Sequence, residues 1–88
     1  MFLMHQNSGR FAKSAVSAWC GRNKLGPGRR FVSEDAAMRE ACERLSHLYQ
    51  EGGIRPDPNE DLSTHRHGSG GLTIRSRGLD VSFVIRST

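Results

Sequence analysis

The sequence predicts an α+β fold: a small antiparallel sheet that includes a C-terminal hairpin at about 72–86, packed on one long helix at about 34–51, with a second helix over 9–20. Three observations carry this expectation. Residues 34–51 repeat apolar side chains at helical spacing between a cap and a glycine stop. Residues 72–86 sort into two clean faces when folded back on themselves. Eighty-eight residues give room for one domain, 1–88, with one modest core.

Met1 to Gln6 reads as a short strand. From Gly9 to Cys20 a helix gathers Phe11, Ala12, Ala15, Ala18 and Trp19 in one arc, with Asn7 or Ser8 as cap and Gly21 as stop. A strand over the same residues would mix Lys13 and Ser17 with Phe11 and Trp19 on one face. Alanine is the best helix former and a poor strand former, so the helix is preferred. Gly21 to Arg29, with Gly26-Pro27-Gly28, reads as a basic loop, and Arg30 to Val32 as a short strand entering the long helix.

The long helix has Ser33 as its N-cap, and Glu34 and Asp35 put negative charge at the positive end of its dipole. Met38, Ala41, Cys42, Leu45, Leu48 and Tyr49 form the apolar stripe, and Glu40 with Arg44 forms an i,i+4 pair. Gly52-Gly53-Ile54 reads as a stop in which Gly53 turns left-handed and Ile54 packs back on Tyr49. Arg55 to Asp61 is an acidic crossover, and Leu62 to His67 a strand joined by a glycine-rich turn to the hairpin. A two-residue turn at Arg77-Gly78 pairs Ile74 with Val81, Leu72 with Phe83 and Arg75 with Asp80, leaving the apolar residues on one face. That turn would need a positive φ at Arg77, so a longer loop stays open.

The net charge of +4 conceals a partition. Residues 1–33 hold six cations and no acid; residues 34–61 hold eight acids against three arginines; residues 62–88 set four arginines against Asp80. Eleven of the 13 basic residues are arginine, whose planar fork suits phosphate and carboxylate. Such a layout points to an anionic partner. The candidate contacts are Arg10, Lys13, Arg22, Lys24, Arg29 and Arg30, centred on the Gly26–Arg30 loop. That loop is not a P-loop, because it runs into Phe31-Val32 instead of Gly-Lys-Ser/Thr opening a helix. Trp19 could stack on a base beside these cations, although a lone tryptophan on an alanine-rich face belongs more naturally to the core.

Cys20, Cys42, His65 and His67 are the donors from which a Cys2His2 zinc site could be drawn. Neither cysteine has the close partner such sites use, so no metal and no cofactor is assigned. Pairs such as Cys20 with His65, and carboxylates such as Glu40 with Glu43, fall in no catalytic motif, and the chain is read as not an enzyme. Two cysteines are too few for a secreted disulfide framework, and no leader-like or membrane-length apolar run occurs, which leads us to expect a cytoplasmic protein that does not enter a membrane. The functional expectation is a small binding protein that contacts nucleic acid, or a nucleic-acid-handling protein complex, through its basic N-terminal region. The alternative is a small regulatory or phage-type inhibitor or adaptor that binds a protein. Free sheet edges would also allow a homodimer.

Overall fold

The computed structural model describes residues 1–25, 29–55 and 57–88. Its elements run β1 (Phe2–Ser8), α1 (Ser14–Arg22), β2 (Arg30–Phe31), α2 (Glu34–Gly52), α3 (Pro58–Asp61), β3 (Leu62–Arg66), β4 (Gly71–Ser76) and β5 (Val81–Ser87). The strands make one antiparallel sheet in the order β2-β1-β5-β4-β3, so the α+β class holds, with α1 and α2 covering one face.

Helix α2 forms as its caps dictate. The Ser33 hydroxyl accepts from the Ala36 N–H at 3.1 Å, and Gly53 ends the helix at φ 64° with the Ile54 N–H returned to the Tyr49 carbonyl at 3.1 Å. Its buried stripe differs in part from the expected one. Ala41, Leu45, Leu48 and Tyr49 face the sheet, but they are joined by Ala37 and Arg44, while Met38 is half-buried and Cys42 is exposed. A rotation of the stripe toward Ala37 lets the helix sit close to β1 and β5, where small side chains allow near approach.

Helix α1 is shorter than 9–20 and starts later. Gly9 to Lys13 is a turn pinned to the far end of the sheet, since the Gly9 N–H donates to the Asp80 carbonyl at 2.7 Å and the Phe11 N–H to the Asp80 carboxylate at 3.0 Å. Phe11 is therefore 82% exposed, and the helix buries Val16, a residue outside the expected arc. Gly21 does not stop the helix, which runs on to Arg22, and Lys13, not Asn7 or Ser8, stands at the N-cap position.

The β4–β5 hairpin keeps its predicted faces and changes its register by two. Ser76 pairs with Val81, Ile74 with Phe83 and Leu72 with Ile85, so the turn is the four residues Arg77 to Asp80, and the positive φ falls on Asp80 at 54°. A shift of two preserves side-chain parity, which explains why the sorting of faces was right while the turn was wrong. The longer turn is favoured because it buries Leu79 and is bonded from outside by Asp61. Both hairpin strands are internal to the sheet: β5 lies between β1 and β4, and β4 between β5 and β3.

Smaller differences follow from local bonding. Strand β1 extends to Ser8 because it pairs with β5 along its length, Val32 is exposed beyond β2, and the acidic crossover winds into α3, capped by the Asp57 carboxylate on the Asn59 N–H at 3.2 Å. Gly26, Pro27, Gly28 and Pro56 lie outside the described residues. The core between sheet and helices is built by Met4, Leu72, Ile74, Val81, Phe83 and Ile85 from below and Val16, Ala41, Leu45 and Leu48 from above. Each of the large side chains stabilises the fold by about 1.5–3 kcal/mol.

Candidate functional site

Strand parity divides the sheet into two chemically different surfaces. Side chains of Cα-paired residues share a face. The registers therefore line up three rows opposite the helices: Arg30, Leu3 and Arg86; then His5, Val84, Thr73 and His65; then Asn7, Ser82, Arg75 and Ser63. Arg30, Arg75, Arg86, His5 and His65 are exposed, and Leu3 and Val84 are half-buried at its centre. Among the described residues no strand contains an acidic residue. All nine Asp and Glu side chains of the chain belong to helices, turns or loops. Asp80, in the β4–β5 turn, lies 3.7 Å from the Arg75 guanidinium.

The six N-terminal cations do not converge on one patch. Arg30 stands on the open sheet face, in the row with Leu3 and Arg86. Arg29, one residue earlier, turns to the helix side, where it lies 3.4 Å from Glu40 and over the Phe31 ring at 5.3 Å. Lys13, although exposed, is engaged by the fold's own backbone, donating from Nζ to the Gly52 carbonyl at 2.9 Å, at the negative end of α2. Arg10 covers the exposed Phe11 ring at 5.6 Å, Arg22 ends α1, and Lys24 lines a groove beside β1. The residues that sequence reasoning missed as contacts are Arg75, Arg86, His5 and His65. Their signal was present in the charge distribution, but it becomes legible only when strand boundaries and parity are known.

On the helix side a polar cluster fills the junction of β1, α1 and α2. The buried Arg44 donates from one terminal nitrogen to the Gln6 side-chain oxygen at 3.0 Å and to the Asn23 carbonyl at 2.5 Å, and lies over the Trp19 ring at 5.4 Å. Gln6 in turn donates to the Cys20 sulfur at 2.8 Å. The buried Arg44 Nε has no hydrogen-bond partner among the described residues, its neighbour Glu40 standing 3.6 Å away. Burial pulls the Arg44 guanidinium below its ordinary value; Glu40 opposes the shift, Arg29 adds to it and Cys20 opposes it. Trp19, the candidate for base stacking, is half-buried and already stacked on His47, with ring centroids 5.9 Å apart and planes at 18°.

A second polar cluster locks the opposite end. The Asp61 carboxylate accepts from the hydroxyls of Tyr49 and Ser76 and from the Gly78 N–H, while the Asp61 carbonyl accepts from the Arg77 N–H at 3.1 Å. Burial alone would raise the Asp61 carboxyl, but the bonds from Ser76, Tyr49 and Gly78, with the charge of Arg77, hold it below the usual carboxylate range. Burial and the Asp61 contact push the Tyr49 hydroxyl up to about 12. This cluster braces the fold.

The four metal-donor candidates stay dispersed. Cys42 is exposed on α2, Cys20 is bonded to Gln6, and His65 and His67 lie 6.1 Å apart at the other edge of the sheet, His67 bonded to the Thr73 hydroxyl at 2.7 Å. Among the described residues no three His, Cys, Asp or Glu side chains come together as a ligand set. No described helix is long and apolar enough to cross a membrane. Comparison with protein-family models, curated proteins and solved structures finds no match.

Proposed function

We propose that the protein is a small non-enzymatic binding protein that contacts single-stranded nucleic acid, alone or within a nucleoprotein complex, through the helix-free face of its sheet. The observation that carries this reading is the charge partition: Arg30, Arg75, Arg86, His5 and His65 share a face whose strands contain no acid, while the acids sit in the helical layer and the turns. Arginine forks bind phosphate bidentately, and both arginine and histidine offer planes on which unpaired bases stack. The basic N-terminal region joins this surface through Arg30. Arg10, Arg22 and Lys24 form no ion pair among the described residues and add long-range attraction.

The width of the face favours a single strand. Five strands at a spacing of about 4.8 Å span roughly 19 Å, whereas the major groove of a duplex, about 12 Å wide, admits a helix or a two-stranded ribbon. A flat surface of this kind reads splayed bases and one phosphate backbone.

The test is the salt dependence of oligonucleotide binding, followed by fluorescence anisotropy. Affinity for a labelled single strand should fall with salt at a slope of about −0.7 per neutralised phosphate. The triple variant Arg30→Ala, Arg75→Ala, Arg86→Ala should lower both affinity and slope, and unlabelled duplex should compete less well than single strand. An unchanged slope in the triple variant, or no binding at low salt, would abandon this reading for the regulatory inhibitor or adaptor that docks on a protein.

A further inference from the structure

Strand β1 is paired along its whole length on one side and over only two residues on the other. Against β5 the register runs from Phe2 with Ser87 to Ser8 with Val81, whereas β2 pairs only with Phe2 and Leu3. The ladder fixes which backbone groups this leaves. The Met1 carbonyl accepts from the Thr88 N–H at 3.0 Å and the Gly9 N–H donates to the Asp80 carbonyl at 2.7 Å, so both ends of the odd-numbered series turn toward β5. In an antiparallel strand the N–H and C=O of one residue point the same way and alternate from residue to residue. Leu3, His5 and Asn7 therefore bond β5, and Met4, Gln6 and Ser8 turn their N–H and C=O groups outward. Among the described residues these outward groups have no backbone or side-chain partner.

The outward groups open into a groove of about 530 Å³ between β1 and α1, with Ser17, Cys20 and Gly21 on the helical wall and Lys24 and Arg29 at its rim. Its lining carries these two cations and no acid among the described residues. A row of alternating donors and acceptors at strand spacing is matched by another extended backbone, and the flanking pockets choose its side chains.

We propose that the β1 edge from Met4 to Ser8 is a strand-addition site for an extended acidic segment of a partner protein. The charge of the rim selects this occupant over a second copy of the chain, because two copies joined edge to edge at β1 would bring Lys24 and Arg29 of each against the same residues of the other. The outward row of backbone donors and acceptors selects a peptide over nucleic acid, which has no N–H and C=O alternation to continue the sheet. Leu3, His5 and Asn7 border both this groove and the open face, but the outward amides of Met4, Gln6 and Ser8 belong to the edge alone and Arg75 and Arg86 to the face alone, so either reading can fail alone.

The experiment uses the full chain and three blocked octapeptides: alternating Thr-Glu, alternating Thr-Lys, and the Thr-Glu peptide N-methylated at every second residue. Binding is followed by amide NMR and hydrogen exchange. The Thr-Glu peptide should slow exchange of the Met4, Gln6 and Ser8 amides, bind at least tenfold more tightly than the Thr-Lys peptide, and lose at least tenfold on Lys24→Glu. The N-methylated peptide should not bind. Equal binding of all three peptides, no binding of the Thr-Glu peptide at millimolar concentration, slow exchange of those three amides before peptide is added, or a dimer formed through this edge in sedimentation would each overturn the proposal.

Discussion

The Asp61 carboxylate accepts the Gly78 N–H at 2.5 Å, so the last residue of α3 holds the turn that reverses the chain between β4 and β5. The same carboxylate gathers the Tyr49 and Ser76 hydroxyls, tying the long helix, the crossover and the hairpin at one point. The register of the central strands therefore depends on an acid that is distant in sequence.

Asp61→Ala should destabilise the protein by about 1–3 kcal/mol, the cost of leaving part-buried donors unmatched, read from urea unfolding at neutral pH. Because the folded-state carboxyl lies below its ordinary value, its contribution is present above the unfolded-state value and is lost as pH falls through the folded one. The gap between wild type and variant should close in acid. Tyr49 titrates with the opposite sign: held up at about 12, it favours folding below its ordinary value of 10.0 and loses that contribution as pH rises toward 12. Tyr49→Phe should remove this alkaline loss.

Arg44→Ala should cost about 3 kcal/mol, because it leaves the Gln6 oxygen and the Asn23 carbonyl without their donor and uncovers the Trp19 ring. Arg44→Met retains an apolar stem over Trp19 and should cost less. An equal loss for both variants in thermal unfolding would mean that the lost hydrogen bonds, not packing over Trp19, set the value.

Glycine substitutions separate strain from propensity. Gly71 sits at φ 92° with a Cβ position that runs into the Ile85 carbonyl, so Gly71→Ala should destabilise by about 1–3 kcal/mol. Gly21 lies within α1 with nothing near its Cβ position, and Gly21→Ala should stabilise by up to about 1 kcal/mol. Urea midpoints of the two variants should move in opposite directions.

Neighbouring cations should separate by role. Lys13→Met should cost about 0.5–1 kcal/mol through its lost bond at the end of α2 while leaving oligonucleotide affinity nearly unchanged. Arg30→Ala should weaken oligonucleotide binding more than Arg29→Ala, since Arg29 is turned to Glu40 and Phe31 on the other side of the sheet. Equal effects of the two arginine variants in anisotropy titrations would argue against the open face.

Much of the fold was legible where local signals agree with tertiary ones. Ser33 and Gly53 delimit α2 because capping is a local matter, and the hairpin faces sort correctly because parity survives a shift of two. The turn was not legible, since the bond that selects it comes from Asp61, sixteen residues before Arg77. Nor was the start of α1, whose preceding turn is held by Asp80 from the far end of the chain. The basic candidates were read along the chain, yet the sheet groups them by alternation, so that Arg30 joins Arg86 and Arg75 and parts from Arg29.

The most direct measurement is an amide NMR titration of the full chain with a single-stranded oligonucleotide at low salt. Shifts centred on Leu3, His5, Arg30, Thr73, Val84 and Arg86, reversed by added salt, are the predicted result. Shifts confined to the exposed side of α2, or none at all, would contradict a sheet face built to meet nucleic acid.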